Sequence, residues 1–256
     1  MGAAPDVTSG DEDRVLAQTL RRAGILRHVE PAAASALTRQ LYTDEFRSGE
    51  TIFTQGDPGD RVHVIVSGTV KISLRGPGGR ENLRAILGPT DAFGELAVFD
   101  PGPRSCTASA ITDVRAVWLD RATLRTWIAR WPVIGEQLLQ SLAQRLTHAE
   151  EQQVELVSSD VASRVARQLL LLLGGRFGTP EADGLRLEHE LSQDELAQLV
   201  GADRVTVNKA LRTFTARGWI RPDGKSVLIL DPDALARRGA GGGTGAYRRR
   251  PLRASA

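Results

Sequence analysis

The hydrophobic pattern of this chain changes period at Trp131-Pro132, and no single architecture accommodates both sides of that point. Between about residues 46 and 120, short apolar stretches alternate with Gly, Pro and Asp turns: SGETIF, QGDPGD, RVHVIVSG, TVKISLRGPGGR, LRAILGPTD and TASAITDVRAVWLD. Regularly spaced short strands of this kind predict an all-β sandwich or barrel. In TVKISL, Val70, Ile72 and Leu74 share one strand face, expected to be core, while Lys71 and Ser73 point to water. Beyond Pro132 the spacing is helical. Leu139, Leu142, Leu146, Ala149, Gln153 and Leu156 follow at alternating intervals of three and four, a seam of three heptads. Such a stripe can pack on the chain's own β-domain or on a second copy. The polar Gln153, of the type that fixes register and limits a coiled coil to two strands, favours a parallel dimer.

A third pattern runs from Asp160 to about Arg238. A helix carrying Val161, Val165, Leu169 and Leu172 or Leu173 is expected to end at Gly174-Gly175. In ELSQDELAQLVGADRVTVNKALRTFTARGWI, Ser192 and Glu195 form a capping box, and Leu196, Leu199 and Val200 give the buried face of a short helix. Gly201-Ala202 turns the chain. Asp203 caps a second helix that buries Val207, Ala210, Leu211 and Phe214, and Gly218 lies just past its end. Asp223-Gly224 between Trp219-Ile220 and Val227–Leu230 is a hairpin signal. Together these predict a winged helix-turn-helix.

The outward face of the second helix carries Arg204, Val205, Asn208, Lys209 and Arg212, and its only acid is the cap. Arg and Lys donate to guanine O6 and N7, Asn pairs with adenine, and Val meets a thymine methyl. Thr206, Arg212, Arg217 and the wing residues Lys225 and Ser226 suit phosphate contacts, which set position without reading sequence. A charged helix face alone is commonly just solvated. The order of capped helix, glycine turn, basic helix and hairpin is what points to double-stranded DNA. In a dimer, two such helices about 34 Å apart predict a two-fold symmetric operator.

At 256 residues, two domains are expected rather than one. Cys106 is the only cysteine, which excludes an intrachain disulfide and a four-cysteine cluster and fits a reducing cytoplasm. MGAAPDVTSGDEDR lacks the apolar core of a signal peptide, and Leu169–Leu173 is too short to span a bilayer, so a soluble intracellular protein is expected, with no membrane partner. His28, His63, His148 and His189 show no metal-ligand spacing and are expected to be satisfied structural residues. Trp118, Trp127, Trp131 and Trp219 read as core anchors, and Cys106 as a small buried residue of a strand rather than a redox centre. FGELAVFDPGPRS, residues 93–105, holds an acid and a base at the two ends of a Pro-Gly turn, a pairing that a purely structural turn has no use for and that suits something held between them; a salt bridge across the turn is the plainer use.

GETIFTQGDPGDRVHVIVSGTVKI, FGELAVFDPGPRS, AQRL and LSQDELAQLVGADRVTVNKAL, in that order, resemble the cyclic-AMP receptor protein (Crp/Fnr) superfamily of bacterial transcription regulators from about Gly24 to Arg238. The resemblance implies an α+β fold: a jelly-roll-like cyclic-nucleotide-binding β-roll at 21–132, a dimerisation helix at 133–159 and a winged helix-turn-helix at 160–238. Composition, small, polar and acidic at the start and Gly-rich then basic at the end, makes disordered tails of 1–20 and 239–256. The resemblance also implies a non-enzymatic homodimer controlled by cyclic AMP, with an operator and RNA polymerase as partners. Gly94, Glu95, Leu96, Arg104 and Ser105 become the nucleotide loop, in which Arg104 neutralises the cyclic phosphate, Ser105 donates a hydroxyl and Glu95 accepts from the ribose 2'-hydroxyl. Arg145 is expected near Glu95. The chain departs from the family pattern where Ala149 and Glu150 replace the residues that hold adenine, and where Val205 replaces a glutamate of the recognition helix. These departures leave open a same-fold regulator that senses another ligand or none.

Overall fold

The computed structural model describes residues 10–22, 26, 28–76, 79, 81–188 and 190–240, and the chain divides into two compact units, residues 1–147 and 148–256. The first unit opens with α1 (Gly10–Arg22) and α2 (Pro31–Thr38). Eight strands follow: β1 (Tyr42–Phe46), β2 (Thr51–Phe53), β3 (Arg61–Ser67), β4 (Val70–Arg75), β5 (Glu81–Leu87), β6 (Ala92–Phe93), β7 (Thr107–Ala110) and β8 (Val114–Asp120). A one-turn helix, α3 (Leu96–Phe99), lies between β6 and β7. After β8 come α4 (Arg121–Arg130) and the long α5 (Pro132–Ser158).

The strands form two antiparallel sheets, β1-β8-β3-β6 and β2-β7-β4-β5. Alternation along β3 explains how they stack. Ile65 faces Phe53, Val70, Phe93, Ala108 and Ala116 between the sheets, while Val62 and Val64 face the helices and join Leu20, Leu37, Leu124, Trp127 and Ile134. Because both faces of β3 are covered, its sequence RVHVIVS is almost continuously apolar.

Two sequence expectations change here. Residues 10–20, expected in the disordered tail, are helical, because Leu16 and Leu20 lie one turn apart and Leu20 is buried against the core, while Arg21 and Arg22 sit in the last turn, where cations suit the helix dipole. In β4 the even/odd division fails at Ser73, which is buried rather than wet. The pairing with β5 shifts register between Ile72 and Ser73, so the simple alternation of faces does not persist along the strand.

The second unit contains the end of α5, then α6 (Val161–Leu172), β9 (Gly178–Glu181), β10 (Gly184–Glu188), α7 (Gln193–Leu199), α8 (Arg204–Ala216), β11 (Ile220–Asp223), β12 (Ser226–Ile229) and α9 (Pro232–Ala240). Its sheet has the order β11-β12-β10-β9. The α-helix α6 ends at Leu172, next to Gly174-Gly175 where its end is expected, but a π-helical turn then carries the chain on from Leu173 to Phe177. The wing turn is Gly224-Lys225, one residue later than expected, since Asp223 pairs with Ser226. Gly239 and Ala240, assigned to the tail, close α9, and Gly239 is buried. The rest of that tail, with residues 1–9 and His189, falls outside the described residues.

A clasp joins the two ends of this unit. Asp160 caps α6 by accepting from the Ser163 amide at 2.8 Å, and Arg238 of α9 donates to both its carboxylate oxygens at 2.8 and 2.7 Å. These bonds, that of Arg238 foremost, hold the Asp160 carboxyl down to about 2. Arg164, one turn into α6, donates to the carbonyls of Ser159, Val200 and Gly201 at 2.6, 2.7 and 3.2 Å.

Candidate functional site

The 56–60 turn and the 100–105 loop lie side by side through a bridge between Pro58 and Pro103. The Gly56 amide donates to the Arg104 carbonyl at 2.9 Å, and the Arg104 amide donates to the Asp57 carbonyl at 2.7 Å. Clamped this way, Arg104 is directed inward and is only 6% exposed. Its Nη1 donates to the carbonyls of Arg61 and Gly94 at 2.9 and 3.0 Å, and its guanidinium lies 4.2 Å from the centre of the Phe53 ring. Among the described residues it forms no ion pair, and its Nε is buried without a partner. Burial accordingly lowers its basicity, against the longer-range pull of Asp60, Cys106 and Asp57. Gly94 makes room for this arrangement: its φ is 78°, and a Cβ there would lie 2.6 Å from Arg104 Nη1.

Glu95, at the cap of α3, is 7% exposed and accepts from Arg145 Nη1 of α5 at 2.8 Å; Arg145 also donates to the Ala92 carbonyl. The plainer use of the loop, a Glu95–Arg104 bridge, is therefore not what forms. Leu96 is 51% exposed and Ser105 is exposed beside the loop. Ala149 and Glu150 lie exposed further along α5. The structure thus brings together Gly94, Glu95, Arg104 and Arg145, and puts Leu96, Ser105, Ala149 and Glu150 at exposed positions.

Sequence reasoning missed three contributors. His63 was expected to be satisfied, but it is buried with an unpartnered Nδ1, stacked 5.0 Å from Phe93. Burial first, then Arg104 and Arg61, push its pKa down to about 3, so the imidazole is neutral. Phe53 supplies the ring beneath Arg104. Arg121 ties the 56–60 turn to α3, donating to the carbonyls of Gly59 at 3.1 Å and Ala97. No spacing rule in one sequence flags these residues, because their roles arise from contacts across the roll.

Along α5, Ile134 and Leu138 are buried, whereas Leu139 is 67%, Leu146 62% and Leu156 50% exposed. Ala149 and Gln153 are also exposed, and Leu142 is half-buried. The seam is therefore largely uncovered in one chain.

In the second unit the capping box forms: Ser192 Oγ accepts from the Glu195 amide at 3.2 Å, and Glu195 accepts from the Ser192 amide at 3.0 Å. The turn to α8 needs a glycine at 201, where φ is 62° and a Cβ would lie 2.5 Å from Leu156 Cδ2. Asp203 caps α8 through the Thr206 amide at 2.9 Å. Val207, Ala210 and Phe214 are buried; Arg204, Val205, Lys209 and Arg212 are exposed, with Thr206 and Asn208 half-buried. Ser226 is less available than expected, since it accepts from Arg186 at 2.9 Å and donates to the Asp223 carbonyl at 2.8 Å. A groove of about 510 Å³ runs between α7, α8 and the wing over Leu196, Leu211 and Ile220.

Residues 43–130 match the family model described as cyclic nucleotide-binding domain, and residues 163–238 match the Crp-like helix-turn-helix domain. The chain is 57% identical over 221 residues to the CRP-like cAMP-activated global transcriptional regulator of Mycobacterium tuberculosis, covering 86% of this chain and 98% of that protein. The chain belongs to the cyclic-AMP receptor protein (Crp/Fnr) superfamily. It is also 34% identical to the cyclic AMP receptor protein of Thermus thermophilus, over 74% of this chain and 82% of that one. Among solved structures, FixK2 from Bradyrhizobium japonicum shares the fold at a TM-score of 0.69 and 23% identity, covering 78% of this chain and 98% of that one. As a Crp-family member the protein is a DNA-binding transcription regulator with a cyclic nucleotide-binding domain. Among the described residues no helix is long and apolar enough to cross a membrane.

Proposed function

We propose that the protein works as a cytoplasmic homodimer whose β-roll binds a cyclic nucleotide, cyclic AMP in the first place, and that this binding controls its hold on a two-fold symmetric operator and its work with RNA polymerase. The observation that carries the reading is Arg104: a buried guanidinium that has no carboxylate partner among the described residues, and an unpaired Nε, is an electrostatic demand for an anion. A cyclic phosphate meets that demand. Ser105 adds a hydroxyl donor, Gly94 lets the backbone approach closely, and Glu95 accepts from the ribose 2'-hydroxyl. Arg145 carries the state of Glu95 to α5.

On this reading the exposed Leu139, Leu146, Ala149, Gln153 and Leu156, with Leu142, pair with a second copy. Arg204, Val205, Asn208 and Lys209 read bases, while Thr206, Arg212, Lys225 and Ser226 meet phosphates. Control requires that the nucleotide bind two arrangements of the dimer with different affinities. Calorimetric titration of cyclic AMP and cyclic GMP into the wild type and Arg104→Ala tests the reading. Cyclic AMP binds the wild type, and the variant loses about 30-fold or more, the usual consequence of removing one member of a buried charged pair. Heat of binding from neither nucleotide in the wild type would overturn it.

A further inference from the structure

We propose that Asp194 is a specificity-determining residue: it orients the Arg204 guanidinium for one base and weakens the hold on all other DNA. The inference rests on the assignment of Arg204 to base reading. Arg204 opens α8, and its Nη1 lies 3.2 Å from Oδ2 of Asp194, the second residue of α7. The carboxylate suits the first turn of α7, whose backbone is held by the Ser192–Glu195 capping box and by buried Leu196 and Ala197.

The side chains are 56% and 61% exposed, so the pair adds little to folding. Its effect falls on the arginine itself. A guanidinium fastened through Nη1 keeps its Nε–Nη2 edge free, and that edge matches O6 and N7 of guanine. Val205, beside it and 78% exposed, leaves this corner without the acid that a glutamate there would supply. The acid of the corner comes instead from the neighbouring helix.

Charge gives the second half. A carboxylate on a surface that approaches phosphates within a Debye length repels every sequence equally. The guanine contact is made only at the right sequence, so the penalty is uniform and the compensation selective. The wing repeats the device, with Glu190 Oε2 3.5 Å from Lys225 Nζ. Two cations assigned to DNA are thus each held by an acid from another segment.

The test uses the full-length protein with cyclic AMP, an operator selected from random DNA by the wild type, and fluorescence anisotropy at several salt concentrations. D194N is expected to bind random DNA about fivefold tighter as a dimer, within the range of an exposed charge pair. Its salt dependence steepens by about 0.9 for each acid removed. Its preference for guanine at the base read by Arg204 falls about tenfold, within the range of one bidentate contact. D194E restores the wild-type values, and the melting temperature of both variants stays at that of the wild type. Unchanged random-DNA affinity together with unchanged base preference in D194N overturns the proposal. Arg204→Ala separates the two levels. If it keeps the guanine preference, the base-reading assignment falls and this inference with it; if it loses the preference while D194N keeps it, only the inference falls.

Discussion

The clasp between α9 and α6 has a stability that can be worked out from its geometry and measured by a double-mutant cycle of Asp160→Asn and Arg238→Met. The Asp160 carboxyl falls from its ordinary 3.8 to about 2, mainly through the Arg238 bonds and next through the Ser163 amide. At 1.36 kcal/mol per pH unit the whole fall corresponds to about 2.4 kcal/mol. The Asp160 side chain is 63% exposed and Arg238 28%, so solvent screening brings the part owed to Arg238 to about 1 kcal/mol. Because the folded value is depressed, this stabilisation is complete above the unfolded value of 3.8 and is lost as pH falls through 2; about half is gone by pH 3. Hydrogen exchange of the 160–172 segment isolates the second unit, where a single unfolding energy for two units is ill-defined. A coupling energy below about 0.3 kcal/mol at pH 7, or a wild-type advantage over Arg238→Met that does not shrink between pH 5 and pH 3, refutes the argument.

Two further outcomes follow from the first unit. Gly94→Ala forces a Cβ to within 2.6 Å of Arg104 Nη1 at a φ of 78°, so it should displace the guanidinium, destabilise the roll by about 1 to 3 kcal/mol, seen as a lower melting temperature, and weaken cyclic AMP binding in calorimetry more than tenfold. Leu139→Lys with Leu146→Lys places charges at positions 67% and 62% exposed in one chain, while Ile134 and Leu138 keep the start of α5 anchored. Sedimentation should give dimers for the wild type and folded monomers for the variant; a variant that still sediments as a dimer removes α5 from the interface.

What the residue pattern reveals follows from how far apart the interacting residues are. The capping box, the Asp203 cap and the buried stripe of α8 involve residues three or four apart; both caps form where the spacing points, as do Val207, Ala210 and Phe214 of the stripe, whereas Leu211, expected to be buried with them, is half-buried at the groove. The strands are legible for the same reason, as runs between turns. Ser73 is not, since its burial accompanies a register shift against β5 that no local alternation records. Nor is α1: thirteen residues rich in Asp and Arg look like a tail until Leu20 is seen buried against the core. At the candidate nucleotide site, Arg104 and Glu95 stand out by motif, but Phe53, His63 and Arg121 belong to it through contacts between residues far apart in sequence. The Asp194–Arg204 contact spans the helix-turn-helix turn, and α8 read alone shows just its cap as an acid.

Arg104, shut away from water without a countercharge among the described residues, also governs how this protein has to be handled. Whatever neutralises it deepens the native well by RT ln(1 + [L]/Kd), so the thermal midpoint of the roll becomes a gauge of the free anion around it. If the proposed nucleotide site is right, inorganic phosphate or sulfate carried through purification would compete weakly for Arg104, and melting curves from different preparations would compare like with like only in matched, oxyanion-free buffer.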